Sequence, residues 1–213
     1  MHDLVWLRVA IPDSFTPHRG LSDFLRACGV TIVGHDRSGT FEGLGRITEG
    51  WLAEEPVEAV LPLSYGQRSL WFLHHLAPEG NAYNIAAAVR LPTTVDAGAL
   101  ERAFQALVNR HAALRTTFPE AGGEPTQRVL RALDLRLARE DATGWGEERL
   151  RSRLAEEAWR PFNLARGPLL RTTLWTGDPA GPVLLFVVHH IVADFWSLAI
   201  LMRELPAMYS TVG

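Results

Sequence analysis

Several kinds of residue and segment are scarce in this chain. Its single cysteine, Cys28, excludes an internal disulfide and any thiolate metal cluster. The formal charge is -3 and no run of lysine or arginine occurs, so the electrostatic footprint of nucleic-acid or anionic-membrane binding is missing. The longest unbroken apolar stretch covers residues 183–188, far short of the ~20 residues that cross a bilayer. The start, MHDLVWLRVAIPDS, has neither a basic leading region nor a long apolar core. No secretory signal is read there, and a cytoplasmic protein is expected. A G-x-S-x-G elbow and a P-loop are also absent, which leaves serine-hydrolase and nucleotide-phosphate chemistry without a foothold. What is present is 213 residues, 47% hydrophobic and 21% charged, enough for one sizeable core with a small appendage.

Residues 1–56 read as that appendage, broken by Gly20, Gly29, Gly34, Gly39, Gly43, Gly45 and Gly50. Leu21, Phe24, Leu25 and Cys28 recur at helical spacing before Gly29, and residues 30–47 read as a hairpin around Asp36-Arg37-Ser38-Gly39. The first twenty residues suggest no element. From Val57 onward, helices alternate with strands as in a layered α/β or α+β domain. Ser64 and Gln67 form a capping box for a helix through Leu76 that Pro78 terminates. Tyr83, Ile85, Ala87, Val89 and Leu91 alternate along one strand face, as do Leu133, Leu135 and Leu137. Asp96 caps a helix striped by Leu100, Phe104, Leu107 and Val108. A charged helix over 146–159 stops before Pro161, and residues 169–175 read as a strand. A last helix carries Leu198, Leu201, Met202 and Leu205 on one face, with Pro206 expected to bend or end it.

Chemistry is expected at HHIVADFWS, residues 189–197. The run 183–188 is apolar at every position and predicts a strand covered on both faces, so His189 and His190 emerge from a rigid element. Histidine exchanges a proton near neutral pH, and Asp194 follows His190 closely enough to brace the loop. A metal held by His189, His190 and Asp194 is disfavoured, because adjacent strand residues point to opposite faces. The pair His74-His75, at a helix end, reads as partly exposed histidines, and His111 as a hydrogen-bonded core histidine. A base or positioning histidine acting on an external substrate suits acyl transfer, where the incoming nucleophile loses a proton as it bonds to the carbonyl.

Together, LSYGQRSLWFLHHLAPEGNAYNI (63–85), NRHAALRTTF (109–118), RPFNLARGPLLR (160–171) and HHIVADFWS resemble the condensation domains of nonribosomal peptide synthetases over residues 57–213. The resemblance implies an α/β fold, an α+β two-layer sandwich forming one chloramphenicol-acetyltransferase-like lobe, of which a complete domain has two with the active site in the tunnel between them. It implies amide formation between a carrier-bound aminoacyl amine and a carrier-bound acyl or peptidyl thioester. His190 then faces the amine as base or positioning group, with His189 and Asp194 beside it. Asp194 is expected to form a structural ion pair with Arg110 or Arg115; the alternative is a cap for the last helix, and the two roles can coexist. Phe195, Trp196 and Ser197 are expected along the substrate tunnel.

The family commonly has glycine where Phe195 stands; the added bulk suggests a polyketide or fatty acyl donor. The first motif looks more like the subtype joining two L-configured partners than the one taking a D-residue donor. No metal or resident cofactor is implied; substrates arrive on phosphopantetheine arms of upstream and downstream carrier proteins. The leading helix and hairpin resemble small docking domains that use strand addition to capture the tail of an upstream synthase polypeptide. The implied partners also include the second lobe, and exclude nucleic acid and membrane. The fragment alone is expected to be inactive. Two alternatives stand beside this reading: a free-standing trimeric acetyltransferase of the chloramphenicol type, and a non-catalytic lobe that binds carrier proteins.

Overall fold

The computed structural model describes residues 4–9 and 57–212, and the side chains within 57–211. Docking-element features expected over 10–56 lie outside the described residues. In chain order the strands are β1 (Leu4–Val9), β2 (Val57–Pro62), β3 (Asn84–Arg90), β4 (Thr116–Thr117), β5 (Glu120–Ala121), β6 (Glu124–Leu130), β7 (Leu137–Asp141), β8 (Leu170–Thr176) and β9 (Val183–His189). The helices are α1 (Tyr65–Leu76), α2 (Ala97–Arg110), α3 (Glu147–Trp159) and α4 (Phe195–Val212), with a 3-10 turn at Ala112–Arg115.

A five-stranded sheet runs β1-β3-β9-β8-β7, antiparallel except for the parallel β7–β8 pair. A smaller sheet runs β2-β6-β4, with β5 paired to β6. The buried strand β9 explains how the larger sheet is covered. Leu184, Phe186 and Val188 pack toward Leu100, Phe104 and Leu107 of α2 and Leu198 and Leu201 of α4. Val183, Leu185 and Val187 pack toward Leu150, Leu154 and Ala158 of α3. An apolar residue at every position thus places helices on both faces, as period-two side-chain alternation requires. Strand β3 follows the same rule: Ile85 joins the first cluster and the small Ala86 and Ala88 join the second, beneath α3.

The capping box of α1 is formed: Gln67 N–H donates to Ser64 Oγ at 3.2 Å, and Ser64 N–H donates to Gln67 Oε1 at 2.9 Å. The Asp96 cap of α2 is formed by bonds from Gly98 and Ala99 N–H at 2.7 and 3.2 Å. Three local expectations change. Leu133 and Leu135 precede β7 rather than belonging to a strand, because the Gln105 side chain of α2 takes the place of a neighbour. Its Nε2 donates to Leu133 O at 2.8 Å, and its Oε1 accepts from Leu135 N–H at 2.8 Å. Helix α4 continues through Pro206 to Val212; Pro206 is exposed, so its ring displaces no core contact. Strand β1, in a stretch that suggested no element, pairs with β3 from Leu4 opposite Val89 to Val9 opposite Ile85.

Among the described residues, no helix is long and apolar enough to cross a membrane.

Candidate functional site

The chain leaves β9 through a tight turn that presents His190. His189 N–H donates to Leu169 O at 3.0 Å, His190 N–H to Tyr83 O at 2.8 Å, and Val192 N–H to His189 O at 3.1 Å. His190 Nδ1 lies 2.9 Å from Ala193 O. A carbonyl can only accept, so Nδ1 carries a proton, and in the neutral ring Nε2 is the nitrogen with the lone pair. The residue is exposed, whereas its neighbour is enclosed.

His189 is only 3% exposed. Its ring lies edge-on to His74 and Phe162, both at 6.0 Å between centroids, with Tyr83 tilted at 6.4 Å. Its Nδ1 accepts from Ile191 N–H at 3.1 Å. Burial, then the neighbouring His74, His190 and Arg171, push its pKa down to about 3, so it stays neutral near pH 7. A group so enclosed does not reach an external substrate. The expectation that His189 is catalytic is therefore corrected: it braces the turn.

Beneath this ring, the Arg171 guanidinium stands 3.8 Å over Phe162 and donates to Pro161 O and Glu157 O at 3.2 and 3.1 Å. Burial, then the nearby Arg160, lower its pKa to about 10, which leaves it charged at neutral pH. Asn84, the β3 partner of His189, donates through Nδ2 to Ala158 O and Arg160 O at 2.9 and 3.0 Å. The C-terminal turn of α3 is thus fastened to the sheet directly below the histidine turn.

Asp194 does not pair with Arg110 or Arg115, which corrects the expected ion pair. Its Oδ1 accepts from Ser197 N–H and Ser197 Oγ, each at 2.7 Å, and so caps α4. Burial alone would raise this carboxyl, but the Ser197 bonds, with smaller help from the backbone and His190, hold it below the usual carboxylate range. Arg115 is occupied elsewhere. Buried at 7% exposure, it donates to Leu130 O, Val108 O and Asn109 O at 3.1, 3.1 and 2.9 Å, and to Glu58 Oε2 at 2.9 Å. Arg110 pairs with Glu204 at 3.2 Å, as does His111 at 2.7 Å. His111 is half-buried between α2 and α4 rather than a core histidine. Phe195 and Ser197 are half-buried at the start of α4, and Trp196 is 74% exposed. Among the described residues, no group of three His, Cys, Asp or Glu side chains stands together as a metal site.

His74 was not expected at this site, yet the sequence carries the signal. Gln67, Leu70, Trp71 and His74 are the half-buried residues of α1, spaced as one helical face. Reading that face as a whole brings His74 to the sheet and leaves His75 exposed, stacked on Trp71 at 5.0 Å.

The fold is that of solved condensation domains. The starter condensation domain of the rhizomide synthetase RzmA superposes with a TM-score of 0.67 at 22% identity, over 72% of this chain and 38% of that one. A four-domain nonribosomal peptide synthetase bound to AMP and glycine gives a TM-score of 0.67 at 23% identity, over 74% of this chain and 12% of that one. Residues 57–213 match the Condensation domain family, to which this chain belongs. The alternative of a free-standing chloramphenicol-type acetyltransferase is thereby set aside. One of the linear gramicidin synthase polypeptides of Brevibacillus parabrevis is 43% identical over 176 residues, 79% of this chain and 3% of that protein. The dimodular nonribosomal peptide synthase of Bacillus subtilis (strain 168) is 44% identical over 158 residues, 74% of this chain and 6% of that protein. The chain therefore spans only a small part of the length of these relatives.

Proposed function

We propose that this chain forms the histidine-bearing lobe of a domain that joins a carrier-bound aminoacyl amine to a carrier-bound acyl or peptidyl thioester. The observation that carries the reading is the His190 ring, fixed through Nδ1 at Ala193 O and exposed at the end of a buried strand. Its Nε2 is the nitrogen available to the amine. As the amine nitrogen bonds to the thioester carbonyl carbon, the carbon–sulfur bond breaks. The proton lost from nitrogen passes to Nε2 and then to the departing thiolate. Positioning of the amine supplies much of the effect, with proton transfer contributing about 10²-fold or more.

Both substrates arrive on phosphopantetheine arms of upstream and downstream carrier proteins, so the lobe itself holds no cofactor. Phe195, Trp196 and Ser197 are assigned to the tunnel wall beside His190, and the bulk of Phe195 favours a polyketide or fatty acyl donor. A second lobe of the same domain faces this one. Its contact is supported by the exposure of Tyr65 (96%), Phe72 (56%) and Leu76 (66%), unusual for large apolar side chains left to water. Residues 10–56 are assigned to docking with the tail of an upstream synthase polypeptide, whereas Leu4–Val9 belongs to the sheet of the lobe. The test is H190A in the full-length protein with both carriers loaded. Amide product is expected to fall by about a hundredfold. Unchanged amide formation would overturn the reading in favour of a binding lobe.

A further inference from the structure

We propose that His74 is a positioning residue for the catalytic turn, acting through His189 on the placement of His190; this rests on the reading of His190 above. None of the residues of α1 is fully buried, so the helix lies over the sheet by a narrow face. On that face Leu70 and Trp71 pack against the apolar cluster that α3 also joins, and two directed contacts reach the rest of the lobe. Trp71 Nε1 donates to Phe118 O at 3.2 Å, and the His74 ring stands at 88° to the His189 ring, 6.0 Å between centroids. The second contact lands on His189, whose side chain is bonded within the turn.

His189 is joined to the turn at three points: its N–H to Leu169 O, its O to Val192 N–H and its Nδ1 to Ile191 N–H. Only the last of these depends on where the imidazole sits and on its being unprotonated. Phe162 and Tyr83 wall the ring on other sides, and His74 is the wall that comes from a different layer. Removing the His74 ring opens the His189 imidazole toward solvent and gives it room to tilt. The Ile191 N–H bond then lengthens, and the neighbouring His190 loses its fixed direction. Misplacing a reacting group by a fraction of an ångström is enough to cost an order of magnitude in rate.

The role asks for a flat ring at position 74, not for a hydrogen bond, since the contact is ring to ring. H74F should therefore preserve what H74A and H74Q lose. In the full-length protein, H74A and H74Q are expected to lower kcat for amide formation about tenfold with the acceptor KM unchanged within about twofold, and H74F to stay within about threefold of wild type. In the 213-residue chain, imidazole ¹⁵N spectra should show the His189 and His190 signals moved in H74A and H74Q but held in H74F. Were H74A to unfold, the H74F and H74Q pair would still decide: equal rates for the two, or Gln above Phe, overturn the proposal. So do wild-type kcat in H74A, or unmoved His189 and His190 signals. Full activity in H190A would instead sink the catalytic reading, while the spectra would still judge His74.

Discussion

His190 Nδ1 lies 2.9 Å from the carbonyl oxygen of Ala193, and this bond decides which imidazole nitrogen is left for a substrate. The neutral ring is expected as the Nδ1–H tautomer, which imidazole ¹⁵N shifts distinguish from Nε2–H. An asparagine at this position keeps a donor for Ala193 O but has no basic nitrogen. H190N should fold as wild type and still form amide about a hundredfold more slowly. A variant as active as wild type would show that the ring's proton chemistry is dispensable.

Protonation of His189 is disfavoured in the folded chain, with its pKa pushed to about 3 from an ordinary value of 6.5. The unfolded chain takes up this proton first as pH falls. Stability is therefore fully present above about pH 6.5 and declines toward about pH 3, by at most ~1.4 kcal/mol per unit of pH. Denaturant titrations at pH 7 and pH 5 measure the loss. In H189N, where position 189 no longer titrates, the slope between these pH values should be shallower.

Asp194 is a helix cap, and its removal should read as one. D194A loses both bonds from Ser197 and is expected to destabilise by about 1 kcal/mol, while D194S retains most of the cap. The ionised carboxylate is favoured in the fold, so this contribution is present above the unfolded carboxyl pKa and lost as acid protonates it. Thermal melts of the variants at pH 7 and pH 3 check both the size and the sign. A large loss in R110A, matching that of D194A, would instead revive the ion pair.

Arg115 and Glu58 form an ion pair at 2.9 Å whose halves are unequal. Losing Arg115 strands the carbonyls of Val108, Asn109 and Leu130 without their donor, and R115A should cost about 2–4 kcal/mol. Glu58 is 54% exposed, so E58A should cost about 1 kcal/mol or less. Urea denaturation of the two variants gives the comparison directly; similar losses would mean that the charge pair, not the carbonyl cluster, sets the energy.

Elements fixed by local chemistry were the readable ones. The Ser64 and Asp96 caps, the uniform apolarity of 183–188 and the stop before Pro161 each act within a few residues of the element they define. Strand β6 was missed: EPTQRVL lacks alternation and contains Pro125, and its strand character comes from β2 and β4 on either side. The position of the His190 imidazole was legible because a buried strand ends at it. For Asp194 the structure forms the cap on the last helix and not the arginine pair, since a short carboxylate at a helix start finds Ser197 three residues away before any arginine from another layer. His74 was hidden for the opposite reason, as its neighbour is distant in sequence and only the inward face of α1 leads to it.

The last turn of α3 is fastened from below by two side chains that reach out of the sheet, Asn84 and Arg171, which occupy carbonyls that a helix end ordinarily leaves to water. Fraying should accordingly start elsewhere. Under mild denaturant, amide protons around 155–160 are expected to outlast those of α1, so that the support the histidine turn takes from α3 persists while that from α1 breathes.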